Sequence, residues 1–211
     1  MLVNIPALFE DNWLVVVDKP PGLLSVSVPG NKARSLEVIL NEDLRKGGMN
    51  YRLYPCHRLD KETSGLIMFA KEKSVQDKFA RLFKERKIIK TYLAFAQGRV
   101  ERDKGIIVRA IEGKPASTRF KVLERRCDFS VVELSPETGR TNQIRIHFKA
   151  IGHPLVGESK FAFRRDFSLR AKRVCLHAEY LEFKHPQTGK VVSIKSPLAR
   201  DMRKFLETHP E

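Results

Sequence analysis

His57-Arg58-Leu59-Asp60-Lys61-Glu62-Thr63-Ser64-Gly65-Leu66 runs straight into Ile67-Met68-Phe69-Ala70. A polar, turn-forming segment that empties into an unbroken apolar run reads as a loop feeding a buried β-strand. Asp60 stands at the edge of that strand among cations, with Arg58 before it and Lys61 after it. Neighbouring positive charge favours the ionised carboxylate near neutral pH. An ionised Asp in such a place can act as a nucleophile or a general base. The plainer reading is an Asp that closes a turn and pairs with Arg58 at the surface. For a solitary Asp the plainer reading is the better one, so the company it keeps decides.

Working outward, Trp13-Leu14-Val15-Val16-Val17 is a second buried-strand pattern, ended by the turn signal Lys19-Pro20-Pro21-Gly22. Residues 35–44 read as a helix with Leu36, Ile39 and Leu40 on one face, and Gly47-Gly48 as a tip beyond it. Residues 74–83 read as an amphipathic helix capped by Ser74, with Val75, Phe79, Leu82 and Phe83 inward. A basic run, Lys84 to Lys87, separates it from a strand over 88–96. Strands follow at 106–110, 118–123 and 130–134, the last two joined by a hairpin at Arg125-Arg126-Cys127-Asp128. Ile144, His147, Phe148 and Ile151 recur at helical spacing over 141–151, with Gly152 and Pro154 as the stop. Strands at 176–183 and 191–194, joined by a turn at His185-Pro186-Gln187-Thr188-Gly189, and a short helix around Lys204-Phe205-Leu206 complete the chain. The pattern predicts an α+β fold: a mixed, mainly antiparallel central sheet with flanking helices and a central catalytic cleft. No linker divides the 211 residues, so residues 1–211 are expected to form a single domain.

Forty Lys+Arg against 25 Asp+Glu give a formal charge of +15. That excess speaks of partners rather than fold and favours a polyanion, nucleic acid before an anionic membrane. No apolar run approaches the ~20 residues of a spanning helix, and the first ten residues lack the pattern of a signal peptide. Three scattered cysteines, Cys56, Cys127 and Cys175, suit a reducing cytoplasm as thiols. Cys56-His57 and Cys175-Leu176-His177 each supply at most two ligands, too few for a structural metal site.

Three segments carry polar groups that a core does not need: His57-Arg58-Leu59-Asp60, Lys90-Thr91-Tyr92, and Gly139-Arg140-Thr141-Asn142-Gln143-Ile144-Arg145-Ile146-His147. With Asp18-Lys19-Pro20-Pro21-Gly22-Leu23, Gly152-His153-Pro154-Leu155-Val156-Gly157 and Leu176-His177-Ala178, they resemble, in order, the motifs of the RluA-type pseudouridine synthase family. The resemblance runs from about Trp13 to about Leu198. It implies an enzyme that cuts the N-glycosidic bond of an RNA uridine, turns the base and rejoins it through C5, in rRNA or tRNA. It puts the catalytic role on Asp60 and makes Arg58 the residue that fills the gap left by the flipped base. Tyr92 becomes the ring on which that base rests, and Arg145 the cation that faces the carboxylate. No metal and no cofactor are implied, because the isomerisation has no net redox change and adds no outside group. Asn142 departs from the family pattern, where many relatives carry His, which bears on loop packing or RNA contacts rather than on catalysis. No small N-terminal RNA-binding domain of the S4 type is expected, so the loops over 29–48 and 159–173 would choose the target.

Flipping a uracil costs a few kcal/mol. Stacking on Tyr92 returns roughly 1–3 kcal/mol. Lys84, Arg86, Lys87, Arg164, Arg165, Arg170, Lys172 and Arg173 are candidate phosphate contacts. His57, His147, His153 and His177 fit structural hydrogen bonding better than metal or acid–base work. Two rivals stay open. One is a non-catalytic RNA-binding protein. The other is a glycoside-type hydrolase, which needs a second carboxylate, and Glu62 is the near neighbour. A cytoplasmic monomer is the expected form.

Overall fold

A computed structural model describes residues 5–30, 33–162 and 169–210. Its elements are β1 (Ala7–Glu10), β2 (Leu14–Lys19), α1 (Leu36–Lys46), β3 (Tyr54–Pro55), β4 (Ser64–Ala70), α2 (Lys73–Lys84), β5 (Ile88–Gln97), β6 (Lys104–Val108), β7 (Ser117–Arg125), β8 (Phe129–Pro136), α3 (Gln143–Ala150), β9 (Leu176–Lys184), β10 (Val191–Lys195) and α4 (Arg200–Thr208). The class is α+β, as expected. The chain divides into two compact units, Met1–Ile89 with Tyr180–Pro197, and Lys90–Glu179 with Leu198–Glu211.

In the first unit the strands run β1-β2-β4-β9, with β3 on β4 and β10 on β9. β4 is buried along its whole length, which is why its sequence is an unbroken apolar run rather than an alternation. β2 lies antiparallel to it, from Leu14 opposite Ala70 to Lys19 opposite Gly65. α2 lays Val75 and Phe79 onto this layer, and Phe79 meets Phe183 edge to face at 5.2 Å. α1 is capped by Ser35, whose Oγ accepts from the Val38 N–H. α2 begins one residue before the expected start. Its N-cap is Glu72, and Ser74 spends its hydroxyl on the Glu72 carboxylate rather than on the helix.

In the second unit the order is β9-β5-β8-β7-β6, and every pairing whose register is described is antiparallel. Alternation along β5 sends Ala94 and Ala96 to one core and Leu93 and Phe95 to another. The first core is closed by Ile144 and Phe148 of α3, the second by Met202 and Phe205 of α4. α3 starts at Gln143, two residues later than the periodicity suggests, because Asn142 takes a left-handed conformation at φ 54°. It ends in a Schellman motif: the Gly152 and His153 N–H groups donate to the carbonyls of Lys149 and Phe148. Ile151 is therefore the C-cap and 38% exposed, not the fourth member of the buried face.

Gly157 shows how tightly the loop after α3 is seated. A Cβ there would stand 1.9 Å from the Arg173 carbonyl oxygen, and φ is +83°. Gly152 has a similar φ but nothing within 4 Å. Gly157→Ala should therefore cost about 1–3 kcal/mol beyond Gly152→Ala, from backbone overpacking. Urea midpoints of the two variants check this, and equal shifts would contradict the close approach.

Candidate active site

The Asp60 loop is built from the backbone outward. Lys19, at the end of β2, is fully buried, and its ammonium donates to the carbonyls of Pro20 (2.9 Å), Leu23 (2.8 Å) and Lys61 (3.2 Å). A buried ammonium is tolerable when its N–H groups find such acceptors. The Gly22 N–H donates to the same Lys61 carbonyl at 2.8 Å. Ser25 holds the other flank: its Oγ donates to the Leu59 carbonyl (2.8 Å) and accepts from the Leu59 N–H (3.0 Å). The Asp60 carbonyl accepts from Thr63, closing a turn. The residues on either side of Asp60 are thus pinned by backbone contacts that do not involve its carboxylate. The Asp60 side chain is half-buried and Arg58 is exposed. The segment Asp18–Leu23, which reads as a turn signal and as one of the family motifs, is the scaffold of this loop.

His57 serves the same frame. Its Nε2 accepts from the Met68 N–H at 3.1 Å, which fixes the imidazole proton on Nδ1, and the ring packs on Phe83. His147 is fully buried, with Nε2 on the Arg109 carbonyl and Nδ1 on the Thr118 hydroxyl. Burial holds its pKa below the ordinary histidine value. Gln143 closes the network: its Nε2 donates to Ser117 O and Thr118 Oγ1, and its Oε1 accepts from Thr138 and from the Arg140 N–H. Both conserve the shape of the β8–α3 loop and expose no ring nitrogen or amide for chemistry.

Tyr92 lies on β5 opposite Leu134, partly buried against the cluster that contains Ile144 and Phe148. Arg145, on α3, is buried at 5% exposure. The helical pattern alone left its exposure open, and a residue absent from the sequence reading accounts for the burial. Glu158, 6% exposed, takes Arg145 in a two-pronged pair, Nε to Oε2 at 2.7 Å and Nη2 to Oε1 at 2.8 Å. The Lys160 and Phe161 N–H groups also donate to Glu158 Oε1. Burial alone would raise the Glu158 pKa, but the hydrogen bonds and charge of Arg145 outweigh it and hold the carboxyl below the usual range. Asn142, in its left-handed pose, accepts from Arg145 Nη1 at 3.0 Å. Asn tolerates that conformation better than most residues. Glu158 and Asn142 thus engage Nε, Nη2 and Nη1 of the guanidinium. A signal for Glu158 was present: an acid just past the apolar pair Leu155-Val156, separated from it only by Gly157, needs a cation if it is buried.

Arg58 and Asp60 thus belong to the first unit, Tyr92 and Arg145 to the second. Of the candidate phosphate contacts, Lys84, Arg86, Lys87, Arg170 and Lys172 are exposed. Arg164 and Arg165 lie outside the described residues. Arg173 is corrected: it is buried, paired with Asp201 at 2.6 and 2.8 Å, and bonded to the Val174 and Leu176 carbonyls. Its fork is spent on the fold. Cys56 and Cys175 are buried thiols whose pKa burial pushes up to about 12, and Cys127 is exposed.

Residues 13–150 match the family model described as RNA pseudouridylate synthase. The chain is 34% identical to a Bacillus subtilis protein called uncharacterized RNA pseudouridine synthase YlyB, over 97% of this chain and 73% of that one. It is 37% identical to the dual-specificity RNA pseudouridine synthase RluA of Haemophilus influenzae, over 90% and 91%. Among solved structures, human RNA pseudouridylate synthase domain containing 1 superposes with a TM-score of 0.75 at 26% identity, covering 100% of this chain and 98% of that one.

Proposed function

Because the chain belongs to the RNA pseudouridylate synthase family, and is therefore an isomerase, we propose that it converts specific uridines of rRNA or tRNA to pseudouridine. What carries the reading is the span of the family match, residues 13–150, which includes Arg58, Asp60, Tyr92 and Arg145. The name of the Haemophilus relative, with its dual specificity, supports an RNA substrate of more than one kind.

In this reading both units serve one catalytic domain. The target uridine leaves its stack and Arg58 fills the gap. Asp60, ionised beside Arg145, acts as nucleophile or base while the N1–C1′ bond breaks. The freed uracil turns on the Tyr92 ring, C5 bonds to C1′, the C5 proton departs and N1 regains one. Atoms and charge balance with no metal, cofactor or second substrate. Cytoplasm is the matching compartment, and one copy of the chain suffices.

The test is tritium release from RNA labelled at uridine C5, with the modified positions mapped in RNA from cells with and without the protein. Release with intact glycosidic bonds is the expected result. Absence of release on every cellular RNA would overturn the reading, and free uracil as product would replace it with a hydrolase.

A further inference from the structure

Lys90 opens the Lys90-Thr91-Tyr92 segment. Successive side chains of a strand alternate, so Lys90 and Tyr92 leave β5 on the same face, two residues apart. The ammonium reaches the loop between β8 and α3, where a Cβ on Gly139 would stand 3.9 Å from its Nζ. The acid that follows β8, Glu137, is occupied by the Ser117 hydroxyl at 2.6 Å and by Arg119. Among the described residues no hydrogen bond or ion pair reaches Lys90. Burial with no opposing charge pushes its pKa below the ordinary lysine value. Lys90 is half-buried, and a half-buried cation without a counter-ion lowers stability; a protein retains one where a ligand supplies the missing charge.

We propose that Lys90 binds a backbone phosphate of the substrate RNA, at or next to the nucleotide whose base rests on Tyr92. The proposal builds on the functional reading above and names one of its binding residues. Its geometry is that of a point charge with rotatable donors, which suits a phosphate oxygen. The exposed basic residues contribute diffuse attraction. Lys90 instead fixes one phosphate relative to the Tyr92 ring.

The experiment compares Lys90→Met, which keeps most of the stem, with Lys90→Arg, on an RNA that the parent enzyme modifies. Loss of one charge-assisted hydrogen bond should raise KM about 10- to 100-fold in Lys90→Met. The slope of log affinity against log salt should shrink by a little under one, the contribution of one phosphate contact. Lys90→Arg should recover most of the affinity. Lys90→Met should also melt no lower than the parent, since it removes an uncompensated charge. Synthetic RNAs with a single methylphosphonate on either side of the target uridine complete the test: at one position the neutral linkage should weaken the parent and leave Lys90→Met unaffected.

An unchanged KM and salt slope, or a raised KM accompanied by a lower melting temperature, would overturn the proposal in favour of an inert or structural lysine. So would penalties of the variant and the neutral linkage that add at every position. If the parent released no tritium, the function would fall, and salt-slope binding to total tRNA and rRNA would still decide Lys90.

Discussion

Asp60→Asn should lower tritium release by at least about 10³-fold while leaving the fold intact. The two halves of that expectation have separate causes. Asn has the shape of Asp but neither its charge nor its basicity, so it can neither attack a sugar carbon nor take a proton effectively. Loss of a positioned acid–base group alone removes about 10²–10⁴ in rate. The fold survives because the loop is held from behind. Ser25 holds Leu59, Lys19 and Gly22 hold Lys61, and the Asp60 turn closes through its own carbonyl. None of these bonds uses the carboxylate. Single-turnover release and a melting curve on the same preparation check both parts. A variant as active as the parent would take Asp60 out of the chemistry. A variant that fails to fold would show that the carboxylate, and not Lys19 and Ser25, organises the loop.

The same loop marks the boundary of what is legible from one sequence. Its turn and the strand after it could be read because turn residues and apolar runs are local signals. β4 was clear for that reason, and so were the Gly152 stop and the hairpin between β7 and β8. Lys19 reads as part of a turn signal and of a motif shared with the family, but not as a scaffold, because the carbonyl that makes it one lies at Lys61, 42 residues away. Arg173 was placed with the surface charges since it ends a basic run, and the acid it pairs with inside the fold, Asp201 of α4, lies 28 residues later. Arg145 sits beside the apolar stripe of α3, so helical periodicity cannot decide its burial. Glu158 decides it from an irregular segment with no period to read. The short strands β1 and β3 carry too few residues to rise above their surroundings. For Lys19, Arg145 and Arg173 the missing information is a partner outside the local pattern.

Glu158→Ala should be the most damaging single change outside the Asp60 loop. It would leave the Arg145 guanidinium buried without its flanking carboxylate and strand the Lys160 and Phe161 N–H groups. Removing one partner of a buried ion pair costs about 3–5 kcal/mol. For a chain of this size that lowers Tm by roughly 10 °C. Glu158→Gln separates charge from shape, since the amide oxygen can still accept from Nε or from the backbone. The folded pKa of Glu158 is lowered, so its stabilising contribution is complete above the ordinary glutamate value and is lost as pH falls through the lowered one. The difference in urea midpoint between parent and Glu158→Gln should accordingly be largest near pH 7 and shrink once pH drops below about 4. A difference independent of pH would mean that shape rather than charge holds Arg145. Activity then reports on the site: if Arg145 holds Asp60, kcat should fall in Glu158→Ala at temperatures where the variant is still folded, with KM changing less. An unaltered kcat in the folded variant would confine Glu158 to stability and remove the reason to think that Arg145 must be aimed.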